Sequence, residues 1–188
     1  MGSALEHPKM TVEEYLTYDR AAEVKSEYHD GELFPSSVSM SVRHSRISAN
    51  VIASLITLLR STSCRVYTPT RVRVNARKYF YPDVFVVCGQ VQLTDESQDT
   101  ITNPKVIVEV LSPSTADYDL GGKFQLYLRL PSLEEYVAVS KDEVKVHVFR
   151  RTANDVWNLT NYEGLDASFS LQSLGIVVPL REIFLELD

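Results

Sequence analysis

The chain has 188 residues, of which 44% are hydrophobic and 23% are charged, and its formal net charge is −6. These values are ordinary for a soluble globular protein, and they indicate one domain with a core of its own, predicted over residues 10–188. The negative charge argues against a strongly basic protein that coats nucleic acid without specificity.

The termini and the cysteines bear on the cellular compartment. Residues 1–9 are predicted to be a flexible segment, and they contain no basic stretch that leads into an apolar one, so no signal peptide is expected. The apolar runs are too short to span a bilayer. Cys64 and Cys88 lack the spacing of metal ligands, and Cys88 is interpreted as a buried thiol at the end of a strand. We therefore expect a cytoplasmic protein with no membrane partner.

Helical signals dominate the first third of the chain. The segment Thr11-Val12-Glu13-Glu14 has the pattern of a capping box, so a first helix is predicted from about Val12. A further helical stretch is predicted to contain Glu27 and to end before the turn at Asp30-Gly31. A long helix is predicted from His44, because six apolar residues recur there at helical spacing and form one core-facing stripe: Ile47, Val51, Ile52, Leu55, Leu58 and Leu59.

After the long helix the pattern becomes that of strands. Alternation predicts a strand over 66–74, and continuous apolar runs predict buried strands at 80–87 and 106–111. A helix is expected from about Asp119 to Leu130. The remaining predicted elements are a strand at 136–139, a hairpin of 144–149 with 156–162, and a closing helix at 180–187. This order predicts an α/β (α+β) domain with a central mixed β-sheet flanked by helices and an extra C-terminal β-hairpin.

Each of the two continuous apolar runs contains one acid, Asp83 in the first and Glu109 in the second. A carboxylate on a buried strand is unfavourable unless a cation, a metal ion or a hydrogen-bond donor compensates it. Two such strands predict two carboxylates that converge on one metal ion, with the carbonyl of Val110 as a further ligand. Mg²⁺ suits this prediction, since it binds carboxylate oxygens and keeps several of its waters.

Lys123 follows on the predicted helix, where its ammonium can point over the strand ends and donate to phosphate or water. Metal, carboxylates and lysine together match the needs of phosphodiester hydrolysis, which requires an activated water and neutralised phosphoryl oxygens. Each residue also has a structural interpretation. An acid such as Asp83 is common in turns, Glu109 can pair with an arginine, and most helical lysines are solvated.

Three other features allow a functional or a structural interpretation. His44 is either a phosphate or proton contact at a helix start or a capping residue. The acidic loop 95–99 is interpreted as solvated. A group of basic residues around a predicted hairpin is either a solvated strand face or a phosphate track: Arg65, Arg71, Arg73, Arg77 and Lys78.

An ordered set of short segments carries a family resemblance. Tyr81-Pro82-Asp83, with Glu109 and a nearby lysine, resembles the PD-(D/E)XK nuclease superfamily. From about Met10 to Leu187 the chain resembles, more narrowly, the Uma-type family of putative restriction endonucleases. The matching segments are 10–16, 27–33, 43–45, 81–84, 107–115, 123–127, 131–136 and 162–165.

The resemblance implies a restriction-endonuclease-like fold, with Asp83 and Glu109 as magnesium ligands and Glu27 as an auxiliary acid near the metal. In the superfamily the lysine sits two residues after the strand glutamate, where this chain has Leu111. Lys123 looks like a relocated substitute. The resemblance therefore implies a metal-dependent DNA endonuclease that uses Mg²⁺, with Mn²⁺ as an alternative metal.

Nucleases that cut two strands often pair two active sites, so a homodimer is also predicted. Phe149 and Trp157, in the late hairpin, are either its contact residues or a cover for the sheet. Two other functions stay open. One is a catalytically weak or inactive nucleic-acid-binding or protein-binding module on the same fold, and the other is a metal-dependent hydrolase of a small phosphoester.

Overall fold

The computed structural model describes residues 9–35, 41–94, 97–111 and 122–186. These residues form four α-helices, which are α1 (Val12–Ala21), α2 (Val42–Leu59), α3 (Gly122–Tyr127) and α4 (Leu180–Ile183), and a 3₁₀ turn, Gln172–Leu174. The first eight strands are β1 (Ser26–His29), β2 (Glu32–Pro35), β3 (Cys64–Tyr67), β4 (Arg71–Asn75), β5 (Lys78–Phe80), β6 (Val84–Cys88), β7 (Thr100–Ile101) and β8 (Val106–Leu111). The last five are β9 (Glu135–Ser140), β10 (Lys145–Arg151), β11 (Trp157–Glu163), β12 (Ser168–Leu171) and β13 (Ile176–Pro179).

The strands divide among three sheets. The larger two have five strands in the order β2-β1-β5-β4-β7 and six in the order β11-β10-β9-β8-β6-β3, while β12 pairs only with β13. In the six-stranded sheet β8 lies between parallel β9 and antiparallel β6, so this sheet is mixed. The predicted fold class and the late hairpin, β10 with β11, are confirmed.

Two predicted strands are divided between the two large sheets. The apolar run 80–87 contributes Phe80 to β5, in the five-stranded sheet, and 84–87 to β6, in the six-stranded sheet, so Asp83 lies in the link between two strands and not on a buried strand as predicted. The alternating stretch 66–74 forms the end of β3, in the six-stranded sheet, and most of β4, in the five-stranded sheet. Pro69 lies between them, and proline has no N–H to donate to a sheet. At the break the Thr68 hydroxyl donates to the Asp83 carbonyl at 2.7 Å.

Helix α2 packs its apolar stripe on one face of the six-stranded sheet. Ile47, Val51, Leu55 and Leu59 are buried there beside the strand valines, whereas Leu58 is 40% exposed and lies outside the stripe. The other face carries an aromatic cluster around α3. Phe149 and Trp157, from the late hairpin, belong to this cluster. The ring centroid of Phe124 lies 4.3 Å from that of Phe149 and 6.5 Å from that of Trp157. Both residues are partly buried against this core cluster, so the structure agrees with the interpretation that they cover the sheet.

The N-terminal region confirms one prediction and corrects another. The Thr11 and Glu14 capping box is present at the start of α1. The helical stretch predicted around Glu27 is wrong, because α1 ends at Ala21 and Glu27 lies on β1, paired with Phe34 of β2. The turn predicted at Asp30-Gly31 is present, but it joins strands β1 and β2, and Asp30 has a φ of 53° there.

Three helix boundaries also differ from expectation. Helix α2 begins at Val42 rather than at His44. Helix α3 ends at Tyr127 rather than near Leu130, and α4 ends at Ile183 rather than near 187. The predicted start at Asp119 lies outside the described residues, as do all but the last residue of the N-terminal segment 1–9. The assignment of one domain to residues 10–188 stays a prediction.

Across the described ranges, no helix has the length and apolar character needed to span a membrane.

Cys64 and Cys88 form a disulfide between β3 and β6, where they are direct partners in the strand register. The prediction of a free buried thiol at Cys88 is therefore wrong. The two residues are 24 positions apart in sequence. The antiparallel pairing of β3 with β6 brings them together, and the alternation pattern did not reveal that pairing.

Reduction of this disulfide is expected to lower the free energy of unfolding by about 2–4 kcal/mol, because the cross-link restricts the unfolded chain. Urea unfolding with and without dithiothreitol would measure the difference. The double variant Cys64→Ser/Cys88→Ser serves as the control and should not respond to reductant. Two reactive thiols in the unreduced, unfolded protein would contradict the disulfide.

Candidate functional site

Four ionisable side chains meet where the two large sheets adjoin. Glu27 comes from β1, Asp83 from the link between β5 and β6, Glu109 from β8 and Lys123 from α3. The Lys123 Nζ lies 2.8 Å from Glu27 Oε1 and 2.9 Å from Glu109 Oε1. The Asp83 backbone N–H donates to Glu109 Oε2 at 3.2 Å. The structure thus brings together the four ionisable residues predicted for the site, including the relocated lysine.

Glu109 is held by its surroundings in a single arrangement. It lies on a strand of which every residue is buried, and its own side chain is only 5% exposed. The Tyr127 hydroxyl donates to Glu109 Oε1 at 3.0 Å. Burial raises the pKa of Tyr127 well above its ordinary value, so the phenol keeps its proton and remains a donor. Glu109 therefore accepts from a tyrosine, a lysine and a backbone amide.

Asp83 accepts hydrogen bonds on both oxygens. The Val110 N–H donates to Oδ2 at 2.8 Å, and His44 Nε2 lies 3.0 Å from Oδ1. Burial raises the pKa of Asp83, but the His44 hydrogen bond and charge and the Val110 N–H outweigh it, so the pKa lies below its ordinary value. The carboxylate is ionised. Val110 contacts the site through its N–H, and the role of its carbonyl as a metal ligand stays a prediction.

His44 was interpreted from sequence as a capping residue or a phosphate contact, and its position in the site was missed. The helix cap is Ser41, whose hydroxyl oxygen accepts from the His44 N–H at 3.2 Å. The His44 side chain is therefore not used for capping, and its imidazole contacts Asp83 from the first turn of α2. The sequence did indicate that His44 matters, because Arg43-His44-Ser45 is one of the segments that match the family. It did not indicate that His44 contacts Asp83.

The charges at the site suit a divalent cation. Three carboxylates and one ammonium leave a formal charge of −2 when His44 is neutral. Magnesium binds carboxylate oxygens and keeps several waters, so Asp83 and Glu109 fit it as ligands. Among residues 9–35, 41–94, 97–111 and 122–186, no group of three or more acidic, histidine or cysteine side chains is arranged as a ready metal cage. Waters would therefore complete the coordination of a bound ion.

A second buried network supports the segments that carry Glu27 and Asp83. Asp19 is fully buried, and its Oδ1 accepts from the Ser26 N–H at 2.8 Å. Its Oδ2 accepts from the Tyr81 hydroxyl at 2.5 Å and from Arg71 Nη1 at 2.7 Å. Ser26 precedes Glu27, and Tyr81 lies two residues before Asp83. The Asp19 carboxylate therefore holds in place both the segment that leads to Glu27 and the segment that leads to Asp83.

This network corrects two interpretations of the sequence. Arg71 belongs neither to a solvated face nor to a phosphate track, because it is 2% exposed and its Nη2 lies 2.7 Å from Asp99 Oδ1. Asp99, at the end of the acidic loop, also pairs with Arg20 at 2.8 Å. Burial raises the pKa of Asp99, but hydrogen bonds from Arg20 and Arg71 outweigh this and hold the pKa well below its ordinary value.

The substitution Asp19→Asn is expected to lower the free energy of unfolding by about 1–3 kcal/mol, the usual consequence of leaving a buried donor unsatisfied. The amide can still accept from Ser26, but its NH₂ group then faces the donors of Tyr81 and Arg71. Urea unfolding of this variant measures the effect. Asp142→Asn, an exposed acid after β9, is the control and should leave the stability unchanged. Equal stability of the two variants would contradict a role for Asp19 in holding the network.

Comparisons with known proteins agree with this architecture. Residues 12–181 match the sequence profile of the Uma2 family, described as "Putative restriction endonuclease". The uncharacterized protein slr1290 of Synechocystis sp. (strain ATCC 27184 / PCC 6803 / Kazusa) is 34% identical over 94% of this chain and 92% of its own length. The uncharacterized protein sll1609 of the same organism is 31% identical over 89% of this chain and 95% of its own.

A solved structure shares the fold. The crystal structure of a putative nuclease belonging to DUF820, from Anabaena variabilis ATCC 29413, superposes with a TM-score of 0.76 at 18% sequence identity. The match covers 95% of this chain and 99% of that one. The predicted restriction-endonuclease-like fold is thereby confirmed, and by its sequence the chain belongs to the Uma2 family.

Proposed function

We propose that the protein is a Mg²⁺-dependent endonuclease that hydrolyses phosphodiester bonds in DNA, with Mn²⁺ as an alternative metal. The observation that carries this proposal is the convergence of Glu27, Asp83, Glu109 and Lys123 from four separate elements. Membership of the Uma2 family supports nuclease activity. The metal, the DNA substrate and the roles of the individual residues are part of the proposal.

In this proposal Asp83 and Glu109 hold the metal ion. When bound, Mg²⁺ neutralises charge on the phosphoryl oxygens and lowers the pKa of a bound water. The chain's own groups keep the two acids in place. His44 and the Val110 N–H orient the Asp83 carboxylate, while Tyr127 orients Glu109 through Oε1. These hydrogen bonds fix the orientation of both carboxylates in the protein without the ion.

Lys123 and Glu27 act as a pair. The Lys123 ammonium is oriented by Glu27 and Glu109, and it lies 5.8 Å from the ring centroids of Phe80 and Tyr127. These rings and the low exposure of the side chain restrict its motion. We assign Lys123 the role of a fixed point charge beside the scissile phosphate. Glu27 positions that charge, and Glu27 is itself held by the Tyr81 N–H at 3.2 Å.

The test is cleavage of supercoiled plasmid in Mg²⁺ or Mn²⁺, with a chelator control. Nicking or linearisation that requires the metal supports the proposal. The contacts of Lys123 with two carboxylates also fit a second candidate, a nucleic-acid-binding module in which the lysine is purely structural. Such a module would bind DNA equally well in chelator and would show no cleavage after long incubation.

We propose a homodimer for this activity. The cytoplasmic location stays a proposal that no longer rests on free cysteines, since Cys64 and Cys88 form a disulfide. Two copies would place two sites on one duplex and allow both strands to be cut. Sedimentation equilibrium of the purified chain distinguishes a dimer of about twice 21.3 kDa from a monomer.

A further inference from the structure

A cleft opens beside Asp83, between α2 and the links that join the two large sheets. Its volume is about 420 Å³. One wall is a face of α2 that includes Ala49 and Ile52, and the opposite wall includes Pro69, Tyr81 and Pro82. This volume lies within the range of about 300–1,000 Å³ found for small-ligand sites, which is enough for one nucleoside.

The walls of this cleft suit a flat aromatic ring with a polar edge. The prolines, Ile52 and the ring of Tyr81 present apolar surface, and the Tyr81 hydroxyl is fixed by Asp19. Ser45 and Thr68 also line the cleft and are exposed, so their hydroxyls can pair with the donors and acceptors at the edge of a nucleobase.

The cleft and the acid site share Asp83, which lines the cleft and accepts hydrogen bonds from His44 and Val110. A base in the cleft would therefore keep its own phosphate near the candidate metal ligands. A base that is paired and stacked in a duplex cannot enter a cleft between α2 and the sheet links, so it must first be unstacked.

We propose that this cleft binds an unstacked nucleobase, and that the substrate is therefore single-stranded or locally opened DNA. This inference rests on the proposed nuclease function and specifies its substrate class. Stacking of a base in a protein site contributes enough binding energy to change affinity about tenfold when it is lost.

The test uses two tryptophan substitutions on α2. Ala49→Trp places a large side chain in the cleft, whereas Ala53→Trp, also exposed on α2, lies outside its lining. Binding of a fluorescein-labelled single strand and of a hairpin duplex of equal length is measured by anisotropy, with Ca²⁺ in place of Mg²⁺. Circular dichroism verifies that both variants are folded.

We expect the wild type to bind the single strand about tenfold more tightly than the duplex, with Ala49→Trp losing this preference and Ala53→Trp keeping it. Ser45→Ala should weaken single-strand binding by a smaller factor. Equal affinity for the two DNAs, or an unchanged preference in Ala49→Trp, would overturn the inference. Plasmid and single-strand cleavage in Mg²⁺ are scored separately. A wild type that shows the binding preference but cuts neither DNA would refute the nuclease function alone.

Discussion

Replacing Asp83 by asparagine is expected to reduce metal-dependent plasmid cleavage by at least about 100-fold, since loss of even an outer-shell partner of a metal typically costs 10–100-fold. The amide has nearly the shape of the carboxylate and can still accept from the Val110 N–H. It lacks the negative charge that would bind the ion. We therefore expect the fold to survive while the affinity for Mg²⁺, measured by isothermal titration, falls with the cleavage rate.

The matched control for this prediction is Asp155→Asn. Asp155 lies in the turn between β10 and β11, its side chain is 87% exposed, and its φ of 58° is a value that asparagine also adopts readily. The same chemical change there should leave both cleavage and metal affinity intact. Cleavage by Asp83→Asn at the rate of the wild type would show that Asp83 is not a metal ligand.

Replacing Lys123 by methionine is expected to lower the free energy of unfolding by about 3–5 kcal/mol in the absence of metal, the usual result of removing one partner of a buried ion pair. Glu27 and Glu109 would then lie buried without their common cation. Plasmid cleavage should also be lost, because the variant has no point charge for the phosphate. Urea unfolding in chelator measures the first effect.

Added Mg²⁺ should raise the melting temperature of Lys123→Met more than that of the wild type. The ion supplies positive charge to a site in which the substitution leaves three carboxylates uncompensated by lysine. Lys145→Met is the control, because Lys145 pairs with Glu163 on an exposed strand face and its loss should barely change stability. An equal rise in melting temperature for Lys123→Met and the wild type would contradict the idea that Lys123 and the metal ion compensate the same carboxylates.

The sequence was informative where a residue contradicted its surroundings. Asp83 and Glu109 stand out because each interrupts an apolar run of the sequence. The structure places the two acids next to each other, with Glu109 on β8 and Asp83 in the link between β5 and β6. Lys123 was predicted from its place on the helix that follows, and the resemblance marked it as a relocated lysine; it does reach Glu109 from α3. The proximity of these residues is a finding, while their roles stay predictions.

The residues that sequence reasoning missed have their partners far away along the chain. Asp19 looks like an ordinary polar residue of α1, and only the fold reveals that Arg71 is its partner. Glu27 was assigned to a helix because nothing local indicates that β1 pairs with β2 and β5. The disulfide and the His44–Asp83 contact were missed for the same reason. Local patterns determine periodicity and burial, whereas these contacts depend on the order of strands in the sheets.

Tyr81-Pro82-Asp83 has a further consequence because the chain passes there from the five-stranded sheet to the six-stranded one. Glu27 belongs to the first sheet and Glu109 to the second, so the separation of the acids depends on the angle between the sheets. Substitutions that alter this angle would change the distance between Glu27 and Glu109 without replacing either residue. We therefore expect substitutions at the contact between the two sheets to change the proposed activity of this protein from a distance.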